Sequence, residues 1–180
     1  AEEWNHAGLI CRGDLGWFTG QEDFQGATIS LTNPGGIGPV QVAFGKLFPT
    51  YPLNGDGSIY RSWTVGRVRF LITDGRSFMS GIAATDNASK TKLGTNQKAW
   101  LKSQMLAAKN AGQVVLWFHE DAWNPSSTYT GDDTWAAYST ERTEIANYVT
   151  SNGIPLTIIH GDYHCVAADN GSHSTGGIPV

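Results

Sequence analysis

The residues best equipped for chemistry stand in IPLTIIHGDYHCVAADNG, positions 154 to 171. His160, Asp162 and His164 are spaced two apart, and in an extended chain such positions project to one side. Imidazole nitrogens brought together with a carboxylate outline a metal site suited to Zn, Fe or Mn. A second group, His119, Glu120 and Asp121, ends another apolar run, QVVLWFH, at positions 113 to 119. A single histidine after a strand is as a rule a hydrogen-bonded surface residue. The density of the His-Gly-Asp-Tyr-His run and its position therefore carry the metal reading.

Those groups must be held by the elements that precede them. QVVLWFH and IPLTIIH (154 to 160) are short and apolar enough to be buried strands. TNQKAWLKSQMLAAKNAG reads as a helix with Thr95 as its cap, Leu101, Met105 and Ala108 on one face, and Gly112 as its stop. STERTEIANYVTSNG (139 to 153) reads as a second helix, capped by Ser139 or Thr140 and stopped by Gly153, with Ile145, Tyr148 and Val149 inward. Helix, strand, helix, strand with apolar strands predicts a largely parallel sheet covered by helices. Strands 113 to 118 and 155 to 160 should then be parallel neighbours. Ligands of such sheets bind outside the carboxyl ends of the strands. His119 should approach Asp162 and His164 closely enough to share a metal. The 20-residue connection from 119 to 138 is long for a simple crossover turn, and loops of that length are usually functional.

Upstream, SIYRSWTVGRVRFLITDGR gives alternating runs at 59 to 65 and 68 to 74 around Gly66-Arg67, which predicts a β-hairpin. Residues 79 to 94 read as polar loop, and residues 1 to 50 show little periodicity. The 180 residues are 40% hydrophobic, enough to bury a substantial core within one domain or part of one. A net charge of −4 without a basic run excludes a nucleic-acid footprint. No apolar stretch nears the 18 residues or so of a membrane span. A charged fraction of only 16%, with 22 glycines and 7 tryptophans, leans towards an exported, extracytoplasmic protein. Cys11 and Cys165 are too few for a disulfide framework.

Four short motifs, in order, resemble the PhoD-like alkaline phosphatases and phosphodiesterases of the calcineurin-like metallophosphatase group. They are YRSWTVGRVRFLITDGRS, LGTNQKAWLKSQM, DDTWAAYSTERTEIANYV and HGDYH, the first including the Asp74-Gly75-Arg76 element. The likeness runs from about Phe48 to Gly171. It implies an α/β fold, a partial metallophosphatase-type β-sandwich flanked by helices and truncated at both ends. Residues 1–180 would form part of a single domain: 1–50 a loop-rich opening segment, 51–171 the family-like core, 172–180 the start of a continuation. It implies Asp162 and His164 as ligands of a centre of two metal ions, Fe with Ca or Zn/Mn; His119 is added as a third ligand from its place at the adjacent strand end. The substrates would be phosphate mono- or diesters. Two such ions clamp the ester oxygens and generate a nucleophilic water.

Charge developing on phosphoryl oxygens is suited to arginine. Arg76 is the candidate catalytic residue, with an ion pair to Asp74 as its structural alternative. Arg142, in a first helical turn, reads as a structural ion pair. Trp123 and Trp135, in the long loop, are open to either a cleft wall or the core. The family's first metal ligands, including a bridging carboxylate, do not occur in residues 1 to 50, so the resemblance places them ahead of Ala1 and predicts only background hydrolysis by these 180 residues. Two other readings remain: a secreted carbohydrate-binding module using exposed tryptophans, and a mononuclear zinc hydrolase built on His160, Asp162 and His164 alone.

Overall fold

The computed structural model describes residues 58–124, 134–161 and 166–180. Its centre is a four-stranded sheet in the order β1-β2-β3-β4. β1 (Arg61–Val65) and β2 (Val68–Ile72) form the predicted hairpin, paired antiparallel from Arg61↔Ile72 to Val65↔Val68. Only Gly66 and Arg67 connect them, and Gly66 takes φ 57°, the left-handed conformation a tight hairpin turn requires. β3 (Val114–His119) runs parallel to β2, and β4 (Leu156–His160) runs parallel to β3. The two apolar runs are parallel neighbours, as the sequence predicts.

Each parallel step requires a crossover, and a helix supplies it. Helix α1 (Thr95–Asn110) precedes β3, and helix α2 (Ser139–Asn152) precedes β4. The register places Leu71, Trp117 and Ile158 at one level, with Val115 and Leu156 alongside each other on the same face. All five are buried and join one core with Leu101, Met105 and Ala108 of α1 and Ile145, Ala146 and Val149 of α2. Burying each large aliphatic side chain contributes about 1.5–3 kcal/mol, which fixes the helices on this face. On the opposite face Trp63, Phe70 and Phe118 stack in a row, with centroids 5.0 and 6.3 Å apart. The carboxyl-terminal residues run along the outer edge of β4, where Ile158 N–H donates to the Pro179 carbonyl at 2.9 Å.

The helix starts depart from expectation. Thr95 is the first residue of α1, and the cap position belongs to Gly94 at φ 76°. Neither Ser139 nor Thr140 caps α2 with its own side chain. Asp86, from the polar loop, does so instead: Ser139 Oγ donates to its Oδ2 at 2.6 Å, and Thr140 N–H reaches both oxygens at 3.3 Å. A carboxylate at a helix amino terminus meets both the orphan N–H groups and the helix dipole. Asp86→Ala should therefore lower stability by about 1 kcal/mol, read as an earlier urea midpoint at unchanged slope. The carboxyl ends match the sequence reading, with Gly112 and Gly153 at φ 67° and 57°.

Candidate metal centre

The carboxyl ends of β2, β3 and β4 stay tied together just beyond the sheet. Thr73 N–H donates to the Phe118 carbonyl at 3.2 Å, and Gly161 N–H donates to the Glu120 carbonyl at 3.3 Å. His119 pairs with His160 as the last rung between β3 and β4. This lattice presents His119, Glu120 and Asp121 together, all buried, with one potential ligand atom from each lying within 4.8 Å of the others.

Each of the three is placed by different neighbours. The His119 imidazole is wholly enclosed, lying 5.7 Å from the Trp117 ring and 5.1 Å from the Trp135 ring between centroids. Its Nδ1 is 2.9 Å from Thr73 Oγ1, and Thr73 Oγ1 itself accepts the Trp117 indole N–H at 2.8 Å. A fixed partner on one ring nitrogen sets the orientation of the other, and His119 Nε2 has no hydrogen-bond partner. Asp121 is committed to two cations: Lys92 Nζ on Oδ2, and Arg76 Nη2 on Oδ1 at 3.3 Å. Glu120 is committed to neither. Both its oxygens are buried without a hydrogen bond.

Electrostatics separate the two carboxylates. Burial would raise Asp121, but Lys92 and Arg76 outweigh it and hold the group at about 2. Burial pushes Glu120 up to about 8, reinforced by the charge of Asp121. Burial also drives His119 well below its ordinary value, against the pull of Asp121. Its imidazole is thus neutral at neutral pH, the form in which histidine binds metals.

Gly75 closes one wall. A Cβ there would lie 1.9 Å from Glu120 Oε1 and 2.7 Å from His119 Cε1. The loop that presents Gly75 is built on Asp74. Its Oδ1 accepts the N–H groups of Arg76 (3.1 Å) and Ser77 (2.9 Å), and its Oδ2 accepts Ser77 Oγ at 2.6 Å. Gln97 of α1 clamps the same residue, donating Nε2–H to the Asp74 carbonyl at 2.7 Å and accepting its N–H at 2.6 Å.

Arg76 and His119 are therefore brought into one cluster. Asp74 is not the ion-pair partner of the Arg76 side chain; Asp121 is. Arg142 has a structural task, donating from Nη1 to the Trp123 carbonyl at 3.0 Å, rather than the ion pair expected of it. Trp123 and Trp135 are core residues, fully buried and packed edge-on with Trp117, so they offer no sugar platform. His160 sits at the rim of the site, with Nδ1 3.3 Å from the Gly161 carbonyl. Asp162 and His164, together with Cys11, Cys165 and residues 1–57, lie outside the described residues; Gly161, bonded to Glu120, is the last described residue before Asp162.

Sequence reasoning missed Lys92 and left Glu120 and Asp121 without roles. The two acids had a signal in their adjacency to His119. Lys92 had none, because a lysine in a polar loop gives no sign of being buried. The donor set suits a hard or borderline cation: a neutral imidazole nitrogen and a carboxylate, both enclosed and both unsatisfied.

Comparison with protein families matches residues 41–175 to the PhoD-like phosphatase model. Searches of the curated proteins and of the solved structures returned no significant match. The matched span takes in the hairpin, both helices, β3, β4 and the whole buried cluster. The chain belongs to the PhoD-like phosphatase family.

Proposed function

We propose that the chain takes part in metal-dependent hydrolysis of phosphate mono- or diesters, with His119, Asp162 and His164 as metal ligands and Arg76 as the catalytic cation. The observation that carries this reading is the enclosed His119-Glu120-Asp121 cluster at the carboxyl ends of parallel strands, joined through Gly161 to the Gly-Asp-x-His element. Membership of a phosphatase family that is metal-dependent in general agrees with it. Bound metal would act as a Lewis acid on the ester and lower the pKa of a coordinated water. The chain's own residues do the positioning. Thr73 fixes the imidazole of His119 through Nδ1. Asp121 holds the Arg76 guanidinium, the group suited to charge gathering on phosphoryl oxygens. Trp117 and Trp135 exclude bulk water from the imidazole, which strengthens electrostatic interactions there. An extracytoplasmic location belongs to the same reading; no helix among the described residues is long and apolar enough to cross a membrane.

Turnover of p-nitrophenyl phosphate and its bis-ester, with Fe, Ca, Mn and Zn supplied in turn, tests the proposal. The assay uses these 180 residues and a form extended ahead of Ala1. Metal-dependent turnover by the extended form, with background rates here, is the expected result. Asp162→Asn or His164→Ala should abolish it, and Arg76→Ala should lower kcat by roughly 100-fold or more. No turnover by either form under any metal would overturn the reading.

A further inference from the structure

We infer that Glu120 is itself a metal ligand, acting with His119 at the end of β3 and supplying an acidic donor that no motif of the chain assigns. The inference rests on the metal-dependent reading above and adds a residue to it.

The argument is one of elimination among enclosed groups. Two carboxylates follow His119, and only one has its charge answered by the protein. Asp121 is met by Lys92 and Arg76. Glu120 has neither cation in contact, and its Oε1 and Oε2 are buried without hydrogen bonds. A buried polar group left unsatisfied keeps the full cost of its desolvation, and a charged one more so. Such a group in a native core is accounted for by strain, a catalytic role, a bound water or a bound ion, and an ion also answers a carboxylate's charge.

The neighbouring donor is orphaned in the same way. His119 Nε2 is buried and unpartnered, while Nδ1 is engaged by Thr73. Glu120 Oε2 lies 3.2 Å from His119 Nδ1, yet Oε2 accepts no hydrogen bond. The two side chains are therefore packed together without satisfying each other. A small cation bound by imidazole and carboxylate satisfies both.

The surrounding chain keeps the Glu120 carboxylate in place. Gly75 leaves the space where a Cβ would strike Oε1. The Glu120 carbonyl accepts the Gly161 N–H, which ties its backbone to the strand end that leads into Asp162. Glu120 is thus held next to His119 and bonded to the last described residue before Asp162.

The test is binding of metal alone to the metal-stripped 180-residue chain. Zn2+ is titrated by calorimetry and Co2+ by its visible absorption, for the wild type, Glu120→Gln, Glu120→Asp and Asp162→Asn. The expected result is Zn2+ affinity weakened roughly tenfold or more in Glu120→Gln, a changed Co2+ spectrum, and partial recovery in Glu120→Asp. The melting temperature of metal-free Glu120→Gln should stay level or rise, because the substitution removes no hydrogen bond that the folded chain makes to this side chain. Wild-type affinity in Glu120→Gln alongside a weakened Asp162→Asn would overturn this inference and leave the phosphoesterase reading standing. Absence of Zn2+ and Co2+ binding in the wild type would overturn this inference, while the phosphoesterase reading is decided by turnover of the extended form. A drop in metal-free melting temperature at unchanged affinity would show Glu120 to be a structural residue, and would equally overturn the inference.

Discussion

Lys92→Met should destabilise the protein by about 3 kcal/mol, because removing one partner of a buried ion pair strands the other. Lys92 is fully buried with its Nζ on Asp121, and its ammonium also lies 5.4 Å from the centroid of the Tyr138 ring. Arg76 remains as a second partner of Asp121, which sets the expectation at the low end of the usual 3–5 kcal/mol. Methionine keeps the length of the side chain, so the loss is electrostatic rather than a cavity. The pH dependence follows from the sign of the Asp121 shift. Its folded value, about 2, lies below the ordinary 3.8. Its contribution is therefore fully present above about pH 4 and is lost as pH falls through 2. Without the Lys92 charge the folded value rises and acid unfolding begins at higher pH. Urea denaturation at pH 7 and an acid titration by circular dichroism measure both effects. The double variant Lys92→Met/Asp121→Asn should lose less than the two single losses combined. A single-variant loss under about 1 kcal/mol would show that the pair adds little to stability.

Gly75→Ala should cost about 1–3 kcal/mol, the usual range for overpacking a filled interior. The reason is contact rather than backbone conformation, since the new Cβ would fall 1.9 Å from Glu120 Oε1 and 2.9 Å from its Cδ. Either the Asp74–Ser77 turn lifts away or Glu120 and His119 rotate. For a chain of this size the cost appears as a fall in melting temperature of roughly 2–4 °C per kcal/mol. Removing the obstructing carboxylate should relieve part of it. In a Glu120→Ala background the Gly75→Ala loss should be smaller, with the contact to His119 Cε1 at 2.7 Å left to be relieved. Equal losses in both backgrounds would point to the turn itself as the source.

The parts of the fold that follow from local pattern were readable in the chain. Two apolar runs joined through a helix have few arrangements other than adjacent parallel strands, and Gly66-Arg67 between alternating runs leaves little but a hairpin. The helix stops at Gly112 and Gly153 were equally plain, because a left-handed residue favours glycine. What remained hidden depends on contacts far apart in sequence. Asp86 caps a helix 53 residues away. Lys92 crosses from a polar loop into the core to meet Asp121, and the loop's composition gives no hint of it. Arg76 is identified in the sequence with an ion pair to the nearby Asp74 as its structural alternative; the backbone of the Asp74 turn claims that carboxylate instead. His119 was singled out from its place at a strand end, whereas the isolation of Glu120 became visible only once the cations had been seen to choose its neighbour.

The three indoles of Trp117, Trp123 and Trp135 lie 5.3–6.2 Å apart between centroids, and two of them flank His119. At such separations excitation passes among them before emission, so the protein carries its own optical probe at the candidate metal centre. A paramagnetic ion entering beside His119 would quench that shared emission, and a change in the charge of the imidazole would shift it. Occupancy of the site would thus be followed by fluorescence in the unlabelled chain.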